Sequence, residues 1–147
     1  GERFEAIRRD ALSQRRDLSA LRNEVIAMRR KMHEGHPNRS ELFDLKHDRG
    51  GMVDIEFLVQ YLVLAHSCDH AELLDNVGNI ALLGRAAGFG LIDAGLAGRA
   101  ADAYRRYRKL QHQLKLDDAA YARVAPDVVA SEREAVVALW QTVLGPR

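Results

Sequence analysis

The sequence has little of several residue types that mark specialised classes of protein. It contains one cysteine, Cys68, and three prolines among 147 residues, and 6% of its residues are aromatic. A single cysteine cannot form an internal disulfide, which excludes a disulfide-stapled secreted domain and favours a reducing, cytoplasmic location. No apolar run reaches the roughly 20 residues that a membrane-spanning helix needs. We therefore expect no membrane segment.

An excess of charge of one sign is also missing. The chain has 22 Lys and Arg against 21 Asp and Glu, a formal net charge of +1, which removes the usual electrostatic argument for a nucleic-acid partner. What is present, 47% hydrophobic and 29% charged residues, is typical of a globular protein. The length fits a single domain over residues 1–147. Because the first residue is glycine, we expect this domain to be a piece of a longer protein.

Hydrophobic spacing predicts an all-α fold, a bundle of five to six helices. A short helical pattern runs from Phe4 to Leu12, and Asp17 is expected to cap a second helix. The apolar stripe of that second helix is Leu18, Leu21, Val25, Met28 and Met32. Glycine and proline end it within 35–40. The helix that starts near Met52 or Val53 has almost no polar face, so we expect a long, buried central helix.

Three more helices complete the predicted bundle. One covers about 73–87 and stops at the glycines of 88–90, and a long one is capped by Asp93. Ser131 and Glu134 form a capping-box pattern that opens the last helix. No sheet is expected. The predicted core stripe of the long helix is Leu96, Ala100, Ala103, Tyr104, Tyr107, Leu110 and Leu114.

Chemistry concentrates in the segment 43–60. Lys46, the flexible pair Gly50 and Gly51, and the start of the central helix together suggest an anion site, because first-turn N–H groups and the positive end of the helix dipole are unsatisfied. A phosphate would fit there. The alternative is that the two glycines only turn the chain, and that Asp54 supplies the negative charge that a helix start favours.

The polar residues of the central helix need partners in an apolar environment. Glu56 and Gln60 are four residues apart and share one face. Asp54 and Glu56 are about 200° apart around the axis, so they cannot chelate one ion together, and no metal site is predicted. We expect each carboxylate to hold a basic residue of a neighbouring element, or Asp54 to face an adjoining domain.

The remaining candidates favour ordinary structural roles. Only His66 and His70 of the group around Cys68 share a helical face, and zinc needs three or four ligands. The basic run 105–109 places its tyrosines on the core stripe and its cations towards solvent, so no nucleic-acid site is predicted. No phosphate-binding loop, nucleophile elbow or paired Asp-x-Asp motif occurs. We therefore expect no catalytic residue in this chain.

A family resemblance emerges from the same segment. The residues at 44–46, 50–51, 54–57 and 60–62 resemble the helical domain that follows the nucleotidyltransferase domain in bacterial glutamine synthetase adenylyltransferases. The likeness continues more weakly through 75–77, 132–134 and Trp140. It implies the second, C-terminal helical domain, whose upstream nucleotidyltransferase domain carries the catalytic carboxylates.

The resemblance also implies an activity for the parent protein. Members attach AMP from ATP, with Mg²⁺, to a tyrosine of glutamine synthetase and remove it by phosphorolysis, under control of the PII signal protein. The isolated chain is expected to be inactive and to bind neither ATP nor Mg²⁺ by itself. On this basis Lys46, Gly50 and Gly51 lie at the interface with the catalytic domain, near ATP phosphates, while Asp54, Glu56 and Gln60 fix the loop.

Two alternatives remain open from the sequence. In the first, the chain is a regulatory docking module that binds glutamine synthetase or the PII protein. In the second, it is the corresponding domain of the related enzyme that uridylylates the PII protein.

Overall fold

The computed structural model describes residues 17–145, which form five α-helices and one two-stranded antiparallel ladder. The helices are α1 (Leu18–Glu34), α2 (Met52–His66), α3 (Asn79–Gly88), α4 (Ala94–Leu116) and α5 (Ala130–Leu144). Strand β1 (Phe43–Asp44) pairs with β2 (Arg123–Val124), with Phe43 opposite Val124. The all-α prediction is confirmed. The helix predicted over 4–12 lies outside the described residues.

Helix α2 is the centre of the bundle, as predicted. It contacts α1, α3, α4 and α5, and most of its residues are buried on all sides. It begins at Met52, directly after the glycine pair. Because most faces of α2 are covered, a polar side chain on a covered face, such as that of Asp54, must find partners inside the protein.

Helix α1 differs from its prediction in the residues that it buries. Asp17 caps it as expected, accepting from the backbone N–H groups of Ser19 and Ala20. The buried stripe continues through Arg29, whereas Met28 is 57% exposed. The assignment of Met28 to the core was wrong, because the helix turns Arg29 inwards to meet a buried carboxylate of α2.

Two predicted helix boundaries need correction. The helix expected over 73–87 is a 3₁₀ turn at Ala71–Leu74 followed, after a break, by α3. Helix α5 begins at Ala130, after a 3₁₀ turn at Pro126–Val129, so Ser131 lies inside the helix. Its hydroxyl donates to the neighbouring Glu132 carboxylate instead of capping the helix. Asp93, in contrast, caps α4 as predicted and accepts from the N–H of Leu96.

The ladder between β1 and β2 was not predicted, since two residues per strand are too few to show an alternating pattern. None of the helices within residues 17–145 is long and apolar enough to cross a membrane.

Candidate functional site

Residues 45–51 connect β1 to α2 and are called the motif loop below. Asp54, on the first turn of α2, is fully buried beneath this loop. Its Oδ1 accepts from Arg29 Nε at 2.7 Å, and its Oδ2 accepts from the backbone N–H of Gly50 at 2.7 Å. Arg29 Nη2 donates to the carbonyl of His47, also at 2.7 Å. The expectation that Asp54 holds a basic residue of a neighbouring element is confirmed.

The backbone of the motif loop folds back onto the start of α2. The N–H of Met52 donates to the Leu45 carbonyl at 2.8 Å, and that of Val53 donates to the Lys46 carbonyl at 3.0 Å. The N–H of Gly51 donates to Asp48 at 2.9 Å. The expectation that these first-turn N–H groups are unsatisfied was therefore wrong, and a phosphate would have to displace loop carbonyls to reach them.

The two glycines are required by close packing as well as by the turn. Gly50 has a φ of +88°, and a Cβ there would lie 2.6 Å from Arg133 Cγ. A Cβ on Gly51 would lie 2.7 Å from the Leu45 carbonyl oxygen. Tyr107 fixes the turn from α4 by donating its hydroxyl to the Gly50 carbonyl at 2.8 Å. This geometry favours the alternative interpretation, in which the glycines turn the chain.

Lys46 is the part of the predicted anion site that is open to a ligand. Its side chain is exposed, and its ammonium has no hydrogen bond or ion pair with any residue in 17–145. The Asp44 carboxylate holds its backbone, with Oδ1 accepting from the N–H groups of Lys46 and His47, both at 2.9 Å. The loop thus presents the lysine from a fixed backbone.

Glu56 and Gln60 do not share the role of Asp54. Glu56 is half-buried, and its Oε1 accepts from the Tyr104 hydroxyl at 3.4 Å. Gln60 is exposed and makes no hydrogen bond to the motif loop. Of the three residues expected to fix the loop, Asp54 is the one that contacts it.

A stacked pair of histidines, one of them in the motif loop, was not predicted. The rings of His36 and His47 stack with centroids 3.8 Å apart. Burial lowers the pKa of His47, and the positive charge that His36 can carry lowers it further. Burial also raises the pKa of Tyr107 well above its usual range, so this hydroxyl remains a donor to Gly50. Spacing could not reveal the stacked pair, because the two rings are brought together by the turn after α1.

The basic run 105–109 divides between core and solvent as predicted. Tyr104 and Tyr107 are buried, whereas the cations of 105–109 are exposed. Three of these four cations line an open groove of about 550 Å³, whose full lining is Met52, Arg105, Arg108, Lys109, Gln111, His112 and Lys115. Within 17–145, no group of three or more His, Cys, Asp or Glu side chains could hold a metal ion.

Comparison with known families shows to which family the chain is related. The model of the family described as GlnD PII-uridylyltransferase matches residues 20–128, which include most of α1, all of α2 to α4 and the motif loop. The chain belongs to the GlnD PII-uridylyltransferase family. The family match therefore contains both glycines, Asp54 and its partner Arg29.

The relatives with high identity share one name. The chain is 60% identical over 98% of its length to a bifunctional glutamine synthetase adenylyltransferase/adenylyl-removing enzyme from Bordetella bronchiseptica. Proteins of the same name from Burkholderia mallei and Nitrosomonas europaea are 55% and 45% identical, each over 99% of the chain. The chain spans about 15% of the length of the Bordetella relative.

Proposed function

We propose that the chain is the helical domain that follows a nucleotidyltransferase domain in a protein that attaches AMP to a tyrosine of glutamine synthetase and removes it. The observation that carries this proposal is 60% identity, over 98% of the chain, to a bifunctional glutamine synthetase adenylyltransferase/adenylyl-removing enzyme. Identity at this level across all five helices favours the same role within the longer protein. The cytoplasm, where glutamine synthetase acts, is the proposed location.

The motif loop is the proposed contact with the nucleotidyltransferase domain. Asp54, Arg29 and Tyr107 hold its backbone in place, so the exposed ammonium of Lys46 is presented at a fixed position. A lysine so placed provides a point charge for the phosphates of ATP. Because first-turn N–H groups of α2 are occupied, the proposed role of the loop is carried by the Lys46 side chain and not by the backbone.

Mg²⁺ belongs to the parent protein in this proposal. The described residues contain no group of three or more ligands that could hold a metal ion, so they do not fit a Mg²⁺ site, and no step involving the ion is assigned to them. In this proposal the chain itself provides Lys46 and the domain surface around that lysine.

Replacing Lys46 by Ala in the full-length protein tests this role. We expect the KM for ATP to rise and AMP transfer to fall by about tenfold or more, since a charge-assisted contact to phosphate is lost. Lys31→Ala is the matched control, because Lys31 is also exposed but belongs to α1 and not to the motif loop. Unchanged ATP dependence in Lys46→Ala would remove the phosphate role.

The match to the GlnD PII-uridylyltransferase family favours a second candidate function, transfer of UMP to the PII protein. Incubating the full-length protein with labelled ATP or UTP, and with glutamine synthetase or the PII protein, separates the two activities. Transfer of AMP to glutamine synthetase supports the proposal, and transfer of UMP to the PII protein supports the alternative. If the chain alone retains either protein in a pull-down, it also acts as a docking module.

A further inference from the structure

A small cavity lies between α1, the motif loop and α5. Its volume is about 20 Å³, enough for a single water-sized group. The cavity is lined by Ile26, Arg29, Arg30, His33, Arg49 and Trp140. Four of these six residues carry or can carry a positive charge, and none is acidic.

Arg29 lines this cavity and carries a buried donor without an acceptor among residues 17–145. The residue is 1% exposed, and its Nε and Nη2 donate to Asp54 and to the His47 carbonyl. Its third nitrogen, Nη1, is buried and has no hydrogen-bond partner among residues 17–145. Since a buried charged N–H group without an acceptor is unfavourable, the cavity requires an oxygen acceptor and not an apolar group or a cation.

Further basic side chains surround the cavity beside Arg29. Arg30 and Arg49 are exposed, and neither guanidinium has a hydrogen bond or ion pair within residues 17–145. His33 lies 4.0 Å from Asp48, whose Oδ2 already accepts from Asn38 and from the backbone N–H of Asp44. The charge of Asp54 is engaged by Arg29. The cluster therefore has an excess of positive charge around one enclosed oxygen-sized space.

We propose that this cavity binds a phosphoryl group. One phosphate oxygen enters the cavity and accepts from Arg29 Nη1, while Arg30 and Arg49 bind the oxygens that remain outside. A tetrahedral phosphate can offer a separate oxygen to each of three guanidinium groups, whereas a carboxylate has only two oxygens. Three guanidinium groups therefore favour a phosphate. The site is separate from the side chain of Lys46 and does not depend on the activity proposed for the parent protein.

The chain contains its own reporter for this site. Trp140 is the single tryptophan of the sequence, is 1% exposed and lines the cavity. Inorganic phosphate is titrated into the 147-residue chain at constant ionic strength while Trp140 fluorescence and its indole NMR signal are followed. We expect a saturable change in both signals.

Variants at the rim test whether the response comes from this site. Arg30→Ala combined with Arg49→Ala should weaken phosphate binding by about tenfold or more. Arg99→Ala combined with Arg108→Ala removes the same charge from exposed positions on α4 and should leave the affinity unchanged. Circular dichroism verifies that both double variants are folded, and Arg30→Lys with Arg49→Lys should restore part of the binding.

Comparison of AMP with inorganic phosphate identifies the source of the phosphoryl group. Tighter binding of AMP than of inorganic phosphate assigns the site to a nucleotide, and equal or weaker binding assigns it to free phosphate. Absence of a saturable response from Trp140, or an equal loss of affinity in the two double-alanine variants, would overturn the proposal and leave the cavity with a water molecule only.

Discussion

Arg29 and Asp54 are the residues on which the conformation of the motif loop depends most directly. Both are buried, and their ion pair is 2.7 Å long. Each also holds the loop backbone, Arg29 at the carbonyl of His47 and Asp54 at the N–H of Gly50. Removing either charge leaves the other buried without its counter-ion, and such a loss is far more costly than the loss of an exposed ion pair.

Asp54→Asn is therefore expected to destabilise the chain by about 3 kcal/mol or more, because the Arg29 guanidinium loses its compensating charge. Urea unfolding followed by circular dichroism measures the change. Glu56→Gln is the control on the same helix, and about 1 kcal/mol or less is expected, because Glu56 is half-buried and accepts a long hydrogen bond. Equal effects of the two substitutions would show that burial of the Asp54 charge is unimportant.

The sequence predicted half of this ion pair. An aspartate in an apolar first turn requires a partner, and this requirement was recognised for Asp54. Arg29 was not identified, since a hydrophobic stripe through Met28 and Met32 fits the same spacing equally well. The observation that distinguishes a stripe through Arg29 from one through Met28 is that Asp54 requires a cation. This requirement joins α1 to α2, whereas hydrophobic periodicity is a property of one helix at a time.

Among the elements, α4 and α5 begin in different ways. The Asp93 carboxylate accepts from a first-turn N–H of α4, whereas α5 follows directly from the 3₁₀ turn at Pro126–Val129 and has no side-chain cap. Ser131 fits a capping pattern in the sequence, yet it lies inside the helix. A capping box depends on where the chain enters the helix, and the turn at Pro126–Val129 moves that entry point back to Val129.

Alanine at each position separates a true cap from an apparent one. Asp93→Ala should lower the free energy of unfolding by about 1 kcal/mol, because a backbone N–H of α4 loses its acceptor. Ser131→Ala should change it by less than about 0.5 kcal/mol, because Ser131 caps no backbone N–H and alanine has the higher helix propensity. A larger loss for Ser131→Ala than for Asp93→Ala, measured by thermal or urea unfolding, would contradict the assignment of α5.

Helices were more predictable than the segments between them. Long apolar stripes identified α2 and α4, because a buried face repeats over several turns. The ladder between β1 and β2 has two residues per strand and no local signature. Besides its local contacts with the start of α2, the motif loop is held by side chains of α1, α4 and α5, and no local pattern could specify these distant contacts.

At the scale of the whole molecule, two half-buried histidines, His47 and His66, link stability to pH. Burial lowers the pKa of both His47 and His66, and neighbouring His36 and His70 lower them further. In the unfolded chain these histidines titrate near the ordinary value of 6.5. The unfolded state therefore binds protons more readily than the folded state just below this pH, and acid favours unfolding.

We expect the free energy of unfolding to fall as the pH drops below about 6.5. His47→Gln should reduce the steepness of this fall, because one of the groups with a lowered pKa is removed. His112→Gln is the control, since His112 is exposed on α4. Urea unfolding at several pH values measures the dependence, and an identical slope in His47→Gln and the parent chain would exclude His47 as a contributor.

The contacts of the motif loop also determine when it can form during synthesis. Its backbone is held by Tyr107, by the Ala122 carbonyl that accepts from Leu45, and by Arg133, which donates to the Arg49 carbonyl. All three partners are far along the chain, and distant contacts form more slowly than contacts within a helix. On the ribosome, the loop therefore remains without its full set of partners until α5 has emerged, although its own residues were made much earlier.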